Sequence, residues 1–460
     1  MENVQYDLIV IGSGPAGQKG AIAAAKLGKK VAVIDRKRMI GGVSLHGGTI
    51  PSKTLREAVL YLSGLKQRPF YGRDYALKEE ISREDLAKRV RIVVEGEMEV
   101  VRDQLLRNDI DLMNGTGSFL SEHQVRVKTP EELVTLTGEK ILIACGSRPA
   151  RPADVPFDDE SILDVEQLLQ LQRLPDKAII IGGGAIGLEF ASMFAAIDIE
   201  ITIIDRSTEL LDFVDQEIME RLQYHLRDLN VVFRLGENVA GLNKAGNNVV
   251  VDLESGKRVK GDILLYAVGR MGNADRLNLE SAGLTADDNG RLGVNERFQT
   301  PVSHIYAAGD VIGFPGLTST SMEQGRLAAN YMFDTAPDPE TPLLPYGIYT
   351  IPEIAMVGKT EQQLTKEKVP YEFGIARYDE LAKGQLTGAR TGIVKLLFDP
   401  ESHDLLGIHI LGESATELIH IGQTVLAMDG TIEYFRDSVF NYPTFAEAYK
   451  VAALDGLNKL

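Results

Sequence analysis

A chain of 460 residues, 44% hydrophobic and 25% charged, exceeds what one ordinary hydrophobic core can organise and has the composition of a soluble globular protein with about three domains. A formal net charge of −17 argues against nucleic acid or an anionic membrane as partner, and a single cysteine excludes an internal disulfide or a multi-cysteine metal site. The N-terminus passes from MENVQYD straight into a β-rich run without a signal-peptide pattern, and no apolar stretch of about 20 residues is present, so a cytoplasmic location without a spanning helix is expected.

In chain order, Asp7 to Ile11 reads as a buried strand, followed by Gly12-Ser13-Gly14-Pro15-Ala16-Gly17, an alanine-rich helix through Leu27, and a second strand from Lys30 to Ile34 that ends in Asp35. In such a unit Gly12 permits the tight turn, Gly14 lets the backbone approach a pyrophosphate, and Gly17 allows close helix packing. Asp35 then stands where a carboxylate can accept hydrogen bonds from an adenosine ribose. The stretch Gly41 to Lys53, GGVSLHGGTIPSK, comes next. Periodicity predicts a surface helix over Arg83 to Leu106, and Gly115, Gly117 and Gly138 punctuate short strands of an antiparallel excursion. Lys140 to Arg148, KILIACGSR, is a strand and turn, in which Cys145 reads as a small buried residue beside the turn.

A second copy of the nucleotide signature follows: a strand over Lys177 to Ile181, the turn Gly182-Gly183-Gly184-Ala185-Ile186-Gly187, a helix beginning at Leu188, and a strand over Ile199 to Ile204 that ends in Asp205. From first glycine to terminal acid the interval is 23 in both copies, which points to two bound dinucleotides. A carboxylate at position 205 suits the free 2′-hydroxyl of NAD and repels a 2′-phosphate, whereas Arg206 reads equally as a phosphate-accommodating or a surface arginine. Asp262 to Asn273, DILLYAVGRMGN, is a strand and turn, and Ile305 to Asp310, IYAAGD, leads into a helical stretch. The C-terminal region alternates strands at Ile354 to Val357, Thr391 to Phe398 and Leu405 to Leu411 with a helix at Ser414 to Met428. The seven histidines show no metal-ligand spacing, so no metal is assigned.

On the GGVSLHGGTIPSK stretch and the motifs around it, the chain resembles the flavoprotein disulfide reductases, the family of dihydrolipoamide dehydrogenase and glutathione reductase. The resemblance implies an α/β fold with two Rossmann-like dinucleotide-binding domains, for FAD and NAD(P), and a C-terminal α+β dimerisation domain. The implied division is 1–150 and 270–340 for FAD, 151–269 for NAD(P), and 341–460 for the interface. The FAD residues it implies are Gly12, Gly14, Gly17, Asp35, Gly42, Lys53, Gly146, Asp310 and Thr318. For NAD(P) they are Gly182, Gly184, Gly187, Glu189, Asp205, Arg206 and Gly269. Lys53, beside flavin N5, and Glu189, its partner, are the implied catalytic pair. The family's helix carries a CxxxxC pair, and here Ser44 and Thr49 occupy those positions. Hydroxyls cannot store two electrons as a dithiol. The family's HPTxxE pattern becomes Tyr442-Pro443-Thr444-Phe445-Ala446-Glu447, and a tyrosine, with an ordinary pKa of about 10, is a poor base at neutral pH. His46 lies near the vacated position and reads as a surface or ribose-contacting residue rather than a replacement base.

Electrons reaching FAD must therefore leave to something other than a disulfide. The GTIPSK, GIYTIPEI and FNYPT stretches resemble the family's transhydrogenase branch and imply hydride exchange between NADPH/NADP⁺ and NADH/NAD⁺ through one site of a homodimer, with higher oligomers left open. The alternative is a quinone- or dye-reducing NAD(P)H dehydrogenase that prefers NADH. A third class, an assembly protein with an inherited flavoprotein scaffold, sits poorly with retention of both glycine turns, Lys53, Glu189 and Asp310.

Overall fold

The computed structural model describes residues 4–36, 39–72, 74–78, 80–171, 173–246, 248–313, 315–335 and 343–460. They fall into two compact units: Met1–Leu55, Ala87–Pro152 and Val268–Thr341 form the first, and Arg56–Leu86, Ala153–Ala267 and Pro342–Leu460 the second. The boundary read at residues 340 and 341 lies outside the described residues.

The first unit is built on a sheet ordered Asp111–Asn114, Val31–Asp35, Val4–Ile11, Leu133–Ile143, Gln124–Lys128, Thr116–Ser121, with Ile305–Ala307 also paired to Leu133–Ile143. Val4–Ile11 is parallel to both neighbours, Leu8 lying between Val31 and Lys140. A central parallel strand is covered on both faces, so its last four residues are buried in succession instead of alternating. The antiparallel excursion is the meander through Thr116–Ser121, Gln124–Lys128 and Leu133–Ile143. The Pro15–Lys26 helix starts on proline, whose fixed φ suits a first helical position, and buries Ala16, Gly17, Gly20, Ala21 and Ala24. Those small side chains allow close packing on the Thr318–Met332 helix, where a Cβ on Gly325 would stand 2.0 Å from the Ala16 carbonyl oxygen.

Besides a three-stranded antiparallel sheet ordered Val239–Ala245, Asn248–Leu253, Arg258–Gly261, the second unit carries two larger sheets. One is all parallel, ordered Val232–Leu235, Glu200–Asp205, Lys177–Ile181, Ile263–Tyr266, Ile162–Leu163. The other is antiparallel, ordered Tyr346–Ile348, Glu353–Gly358, Leu405–Gly412, Ile393–Phe398, Glu372–Arg377. Its core joins Val394, Leu396 and Ile408 to Leu418, Ile419, Tyr449 and Ala452 of the Ala415–Ala427 and Glu447–Leu457 helices.

Residues 56–86 fall within the 1–150 segment of the sequence-based division. They cluster with the second unit, in which the nearly buried Arg56 guanidinium meets Glu353 at 3.0 Å and the Thr350 carbonyl at 3.1 Å. A guanidinium is buried only when paired, and Lys66, bonded to Glu413 at 2.8 Å, adds a further tie.

Lys395 lies inside the Ile393–Phe398 strand with no solvent exposure. Its ammonium meets Asp215 at 2.9 Å, Glu217 at 3.2 Å, and Glu361. Asp215 is itself buried and accepts the Glu217 amide at 3.2 Å, capping the Gln216–Asp228 helix. His409, opposite Lys395 in the sheet, donates from Nε2 to the Lys359 carbonyl at 2.9 Å, and burial holds its imidazole below the ordinary pKa.

Candidate active site

Two turns of matching geometry open the two nucleotide-type motifs. Gly12 and Gly182 have φ of 108° and 105°, open to glycine and strained for other residues. Each donates its amide across to the next strand, Gly12 to Ile34 and Gly182 to Ile204, both at 2.9 Å. A Cβ on Gly17 would lie 1.9 Å from the Gly12 carbonyl oxygen, and one on Gly187 would lie 2.0 Å from that of Gly182, so the last glycine seats the helix on the turn. The middle glycine faces open space: a Cβ on Gly184 would meet nothing within 4 Å, and one on Gly14 would meet only the Gly42 Cα, at 3.9 Å. Helix N-terminal amides above such a gap form a cradle that a dinucleotide pyrophosphate fits.

The two terminal acids differ in their surroundings. Asp35 Oδ2 accepts the Ser13 amide at 2.8 Å and the Ser13 hydroxyl at 2.6 Å, while Oδ1 accepts the Arg36 amide at 2.7 Å. Burial pushes its carboxyl above the ordinary range, and the Ser13 bonds pull back against that. Asp205 Oδ2 accepts the Gly183 amide at 2.6 Å and Oδ1 the Ser207 amide at 2.8 Å. Glycine in place of Ser13 leaves Asp205 one donor fewer, and so more acceptor capacity for a ribose hydroxyl. Arg206 is exposed.

The GGVSLHGGTIPSK stretch folds as a short helix, Gly42–His46, and the start of a long one, Thr49–Ser63. Neither vacated position is idle. The Ser44 hydroxyl donates to the Gly41 carbonyl at 2.8 Å, and the Thr49 and Thr318 hydroxyls share a hydrogen bond of 2.8 Å. Thr318 begins the Thr318–Met332 helix. His46 Nε2 bonds to the Ile40 carbonyl at 2.9 Å, which spends one ring nitrogen on the backbone. Asp310, after the Ile305–Ala307 strand, accepts the Ser147 hydroxyl on Oδ2 at 2.6 Å.

Around Gly146 the turn is locked from the 270–276 segment. Asn273 donates its backbone amide to the Gly146 carbonyl at 3.0 Å and its side-chain amide to that of Cys145 at 3.1 Å, and Arg148 reaches the Gly272 carbonyl at 3.2 Å. Burial pushes the Cys145 thiol up to about 12, so at neutral pH it stays protonated and unreactive. Gly269 precedes this segment with φ of 80°.

Lys53 lies in the part of the Thr49–Ser63 helix that belongs to the first unit, and Glu189 in the Ala185–Ala195 helix of the second. Glu189 is 7% exposed and accepts the Tyr349 amide on Oε1 at 2.9 Å, while three residues on Ser192 Oγ accepts the Ile351 amide at 3.0 Å. Tyr442 is 71% exposed, and the Glu447 Oε2 atom is buried with no hydrogen-bond partner among the described residues. The first unit thus gathers Gly12, Gly14, Gly17, Asp35, Gly42, Ser44, Thr49, Gly146, Asp310 and Thr318, and the second gathers Gly182, Gly184, Gly187, Glu189 and Asp205. Ser13 and Ser147 were missed as site residues, and Arg270 was read only as part of a turn. Their one local signal is position, directly beside residues singled out. No group of three or more metal-ligating side chains occurs among the described residues, and no described helix is long and apolar enough to cross a membrane.

Comparison with known proteins gives consistent results. Residues 6–325 match the family described as Pyridine nucleotide-disulphide oxidoreductase, and residues 344–453 match its dimerisation domain. The chain is 52% identical over 458 residues to the soluble pyridine nucleotide transhydrogenase of Mycobacterium bovis (strain BCG / Pasteur 1173P2), covering 99% of this chain and 98% of that one. It is 45% identical over 462 residues to the protein of the same name from Enterobacter sp. (strain 638), with the same coverage. Among solved structures, the HOCl-induced flavoprotein disulfide reductase RclA from Escherichia coli superposes with a TM-score of 0.87 at 27% identity, covering 98% of this chain and 99% of that one. LpdA from Mycobacterium tuberculosis has a TM-score of 0.90 at 24% identity, with the same coverage, a likeness of fold.

Proposed function

The chain belongs to the pyridine nucleotide-disulphide oxidoreductase family, and from that membership we propose that it is an FAD-dependent transhydrogenase catalysing NADPH + NAD⁺ ⇌ NADP⁺ + NADH. The observation that carries this reading is that both glycine turns are intact while both thiol positions are vacated. Ser44 and Thr49 spend their hydroxyls on Gly41 and Thr318, so no dithiol competes for electrons. Near-full-length identity of 52% to a protein named as a soluble pyridine nucleotide transhydrogenase supports the same reaction here. Bound FAD supplies the carrier that takes a hydride equivalent from one nicotinamide nucleotide and yields it to the other.

The chain's own residues bind and orient. Gly14 and the Pro15–Lys26 helix hold one pyrophosphate, and Gly184 and the Ala185–Ala195 helix hold the other. Lys53 supplies a fixed positive charge that favours the reduced flavin. With one second turn in the chain, the two nicotinamide nucleotides take turns at a single site. The protein acts as a cytoplasmic homodimer through its C-terminal dimerisation domain, residues 344–453.

A second reading, an NADH-preferring quinone or dye reductase, draws on Asp205, whose carboxylate disfavours a 2′-phosphate. The FAD-loaded protein should be assayed with NADPH and, separately, with NADH against thio-NAD⁺, menadione, a dye, lipoamide and glutathione disulfide. Rapid thio-NADH formation with no disulfide reduction supports transhydrogenation. Rapid quinone reduction from NADH alone, with negligible thio-NADH, favours the second reading.

A further inference from the structure

We propose that Ser147 and Arg270 are positioning residues for bound FAD, acting through Asp310 as a one-way hydrogen-bond chain. This rests on the reading of Asp310 as a residue that holds the cofactor. Arg270 donates from Nε to the Ser147 Oγ at 2.8 Å and from Nη2 to the Ser147 carbonyl at 3.1 Å. Ser147 donates from Oγ to Asp310 Oδ2 at 2.6 Å. A guanidinium has no acceptor, so the serine hydroxyl proton cannot point back toward Arg270, and its direction toward Asp310 is fixed by chemistry alone.

The frame that carries the chain is stiff. Ser147 and Arg270 sit on the two strands of an antiparallel pair, in which Arg270 faces Pro149, Met271 faces Arg148 and Gly272 faces Ser147. Ser147 is 4% exposed, so its hydroxyl has little access to water as a substitute partner. The Asp310 side chain is 28% exposed, and its Oδ1 accepts no hydrogen bond among the described residues. One oxygen is tied down by the protein and the other is left for a ligand hydroxyl. The Arg270 Nε lies 3.8 Å from Asp310 Oδ2, close enough to offset the carboxylate's charge on the ligand side as well.

The chain therefore aims the Asp310 carboxylate, which is read in FAD affinity, and balances its charge, which is read in the flavin potential. Aim belongs to the Ser147 hydroxyl, and balance to the Arg270 cation. Ser147→Ala should raise the FAD dissociation constant about tenfold, the loss typical of a hydrogen bond to a charged group. Arg270→Gln keeps a donor but removes the charge, whereas Arg270→Lys keeps the charge. Because Arg270 reaches Asp310 through Ser147, the Ser147→Ala/Arg270→Gln double variant should weaken FAD by much less than the product of the single losses. The midpoint potential of bound FAD should fall in Arg270→Gln and stay near the wild-type value in Arg270→Lys, since an unbalanced carboxylate disfavours the anionic reduced flavin.

The experiment strips FAD from the full-length protein, checks each apoprotein by circular dichroism and urea midpoint, and titrates FAD back by fluorescence quenching. Midpoint potentials of the reloaded proteins follow. Asp310→Ala is the reference. If it weakens FAD while Ser147→Ala and Arg270→Gln bind like wild type, the chain has no role in holding the cofactor. Multiplicative losses in the double variant, or equal potentials for the Gln and Lys variants at position 270, also overturn the proposal by reducing the pair to scaffold. FAD binding unchanged by Asp310→Ala would remove the reading of Asp310 itself, and this inference with it.

Discussion

Replacing Asp205 separates two jobs that one carboxylate performs. It accepts the Gly183 and Ser207 amides at 2.6 and 2.8 Å, which shapes the turn for any nucleotide, and it retains acceptor capacity for an adenosine ribose. Asp205→Ala removes both. Loss of a hydrogen bond to a charged group costs about 1.5–3 kcal/mol, so both coenzymes should weaken through the shared turn. NADH loses in addition a ribose bond of about 1.5 kcal/mol, while NADPH is relieved of a repulsion of about 1 kcal/mol between carboxylate and 2′-phosphate. The difference, about 2.5 kcal/mol, moves the NADH:NADPH preference toward NADPH by roughly fifty- to a hundredfold. Asp205→Asn keeps an oxygen for the Gly183 amide and should move the preference the same way with a smaller common loss. Anaerobic flavin reduction at varied NADH and NADPH gives the limiting rate and apparent affinity for each. Equal losses for both coenzymes in both variants would show that Asp205 serves the turn alone.

Lys53→Met should slow flavin reduction at least tenfold while FAD still binds, and an unchanged reduction rate would remove the role assigned to that ammonium. Lys395→Met strands the carboxylates of Asp215, Glu217 and Glu361 and should cost about 3–5 kcal/mol in urea unfolding of the FAD-loaded protein; a loss below about 1 kcal/mol would mean the cluster is not held by its lysine. His409 is buried in its neutral form, with its pKa held below the ordinary value of 6.5. The unfolded chain takes up that proton first as pH falls, so this contribution is fully present above about pH 6.5 and declines below it by up to about 1.4 kcal/mol per pH unit. His409→Gln should flatten the slope between pH 7.5 and 5.5, and an identical slope would assign it to other groups. Cys145 should resist iodoacetamide at pH 8 in the native protein and react on denaturation, with activity unaltered. Rapid native alkylation would contradict its protonated state at that pH.

What the sequence made legible was local. The Gly12 and Gly182 turns, the acids 23 residues on, and the Arg83–Leu106 helix could all be read from spacing, because each is set by backbone geometry within one supersecondary unit. Ser44 and Thr49 showed as absences only through the family resemblance. Spacing could not show that their hydroxyls are already engaged. The Thr49 partner is Thr318, and such a contact depends on tertiary packing. The same limit hid Ser147 and Arg270, 123 positions apart, and the Asp215–Lys395 pair, 180 apart. The clustering of residues 56–86 with the second unit was likewise beyond local pattern. The division runs inside the continuous Thr49–Ser63 helix, and the partners of Arg56 that draw it away lie about 300 residues later, at Thr350 and Glu353. A lysine in the middle of IVKLLF carries no local sign of its partners, and its three carboxylates explain its burial.

Central to the account is that electrons pass from one nicotinamide nucleotide to the other by way of the flavin. Anaerobic mixing of the FAD-loaded protein with NADPH in a stopped-flow cell, followed by a chase with NAD⁺, tests it directly. The account predicts rapid bleaching of the flavin, then rapid recovery of the oxidised spectrum in step with NADH formation. Bleaching by NADH but hardly by NADPH, or a reduced flavin that NAD⁺ fails to reoxidise, would contradict it.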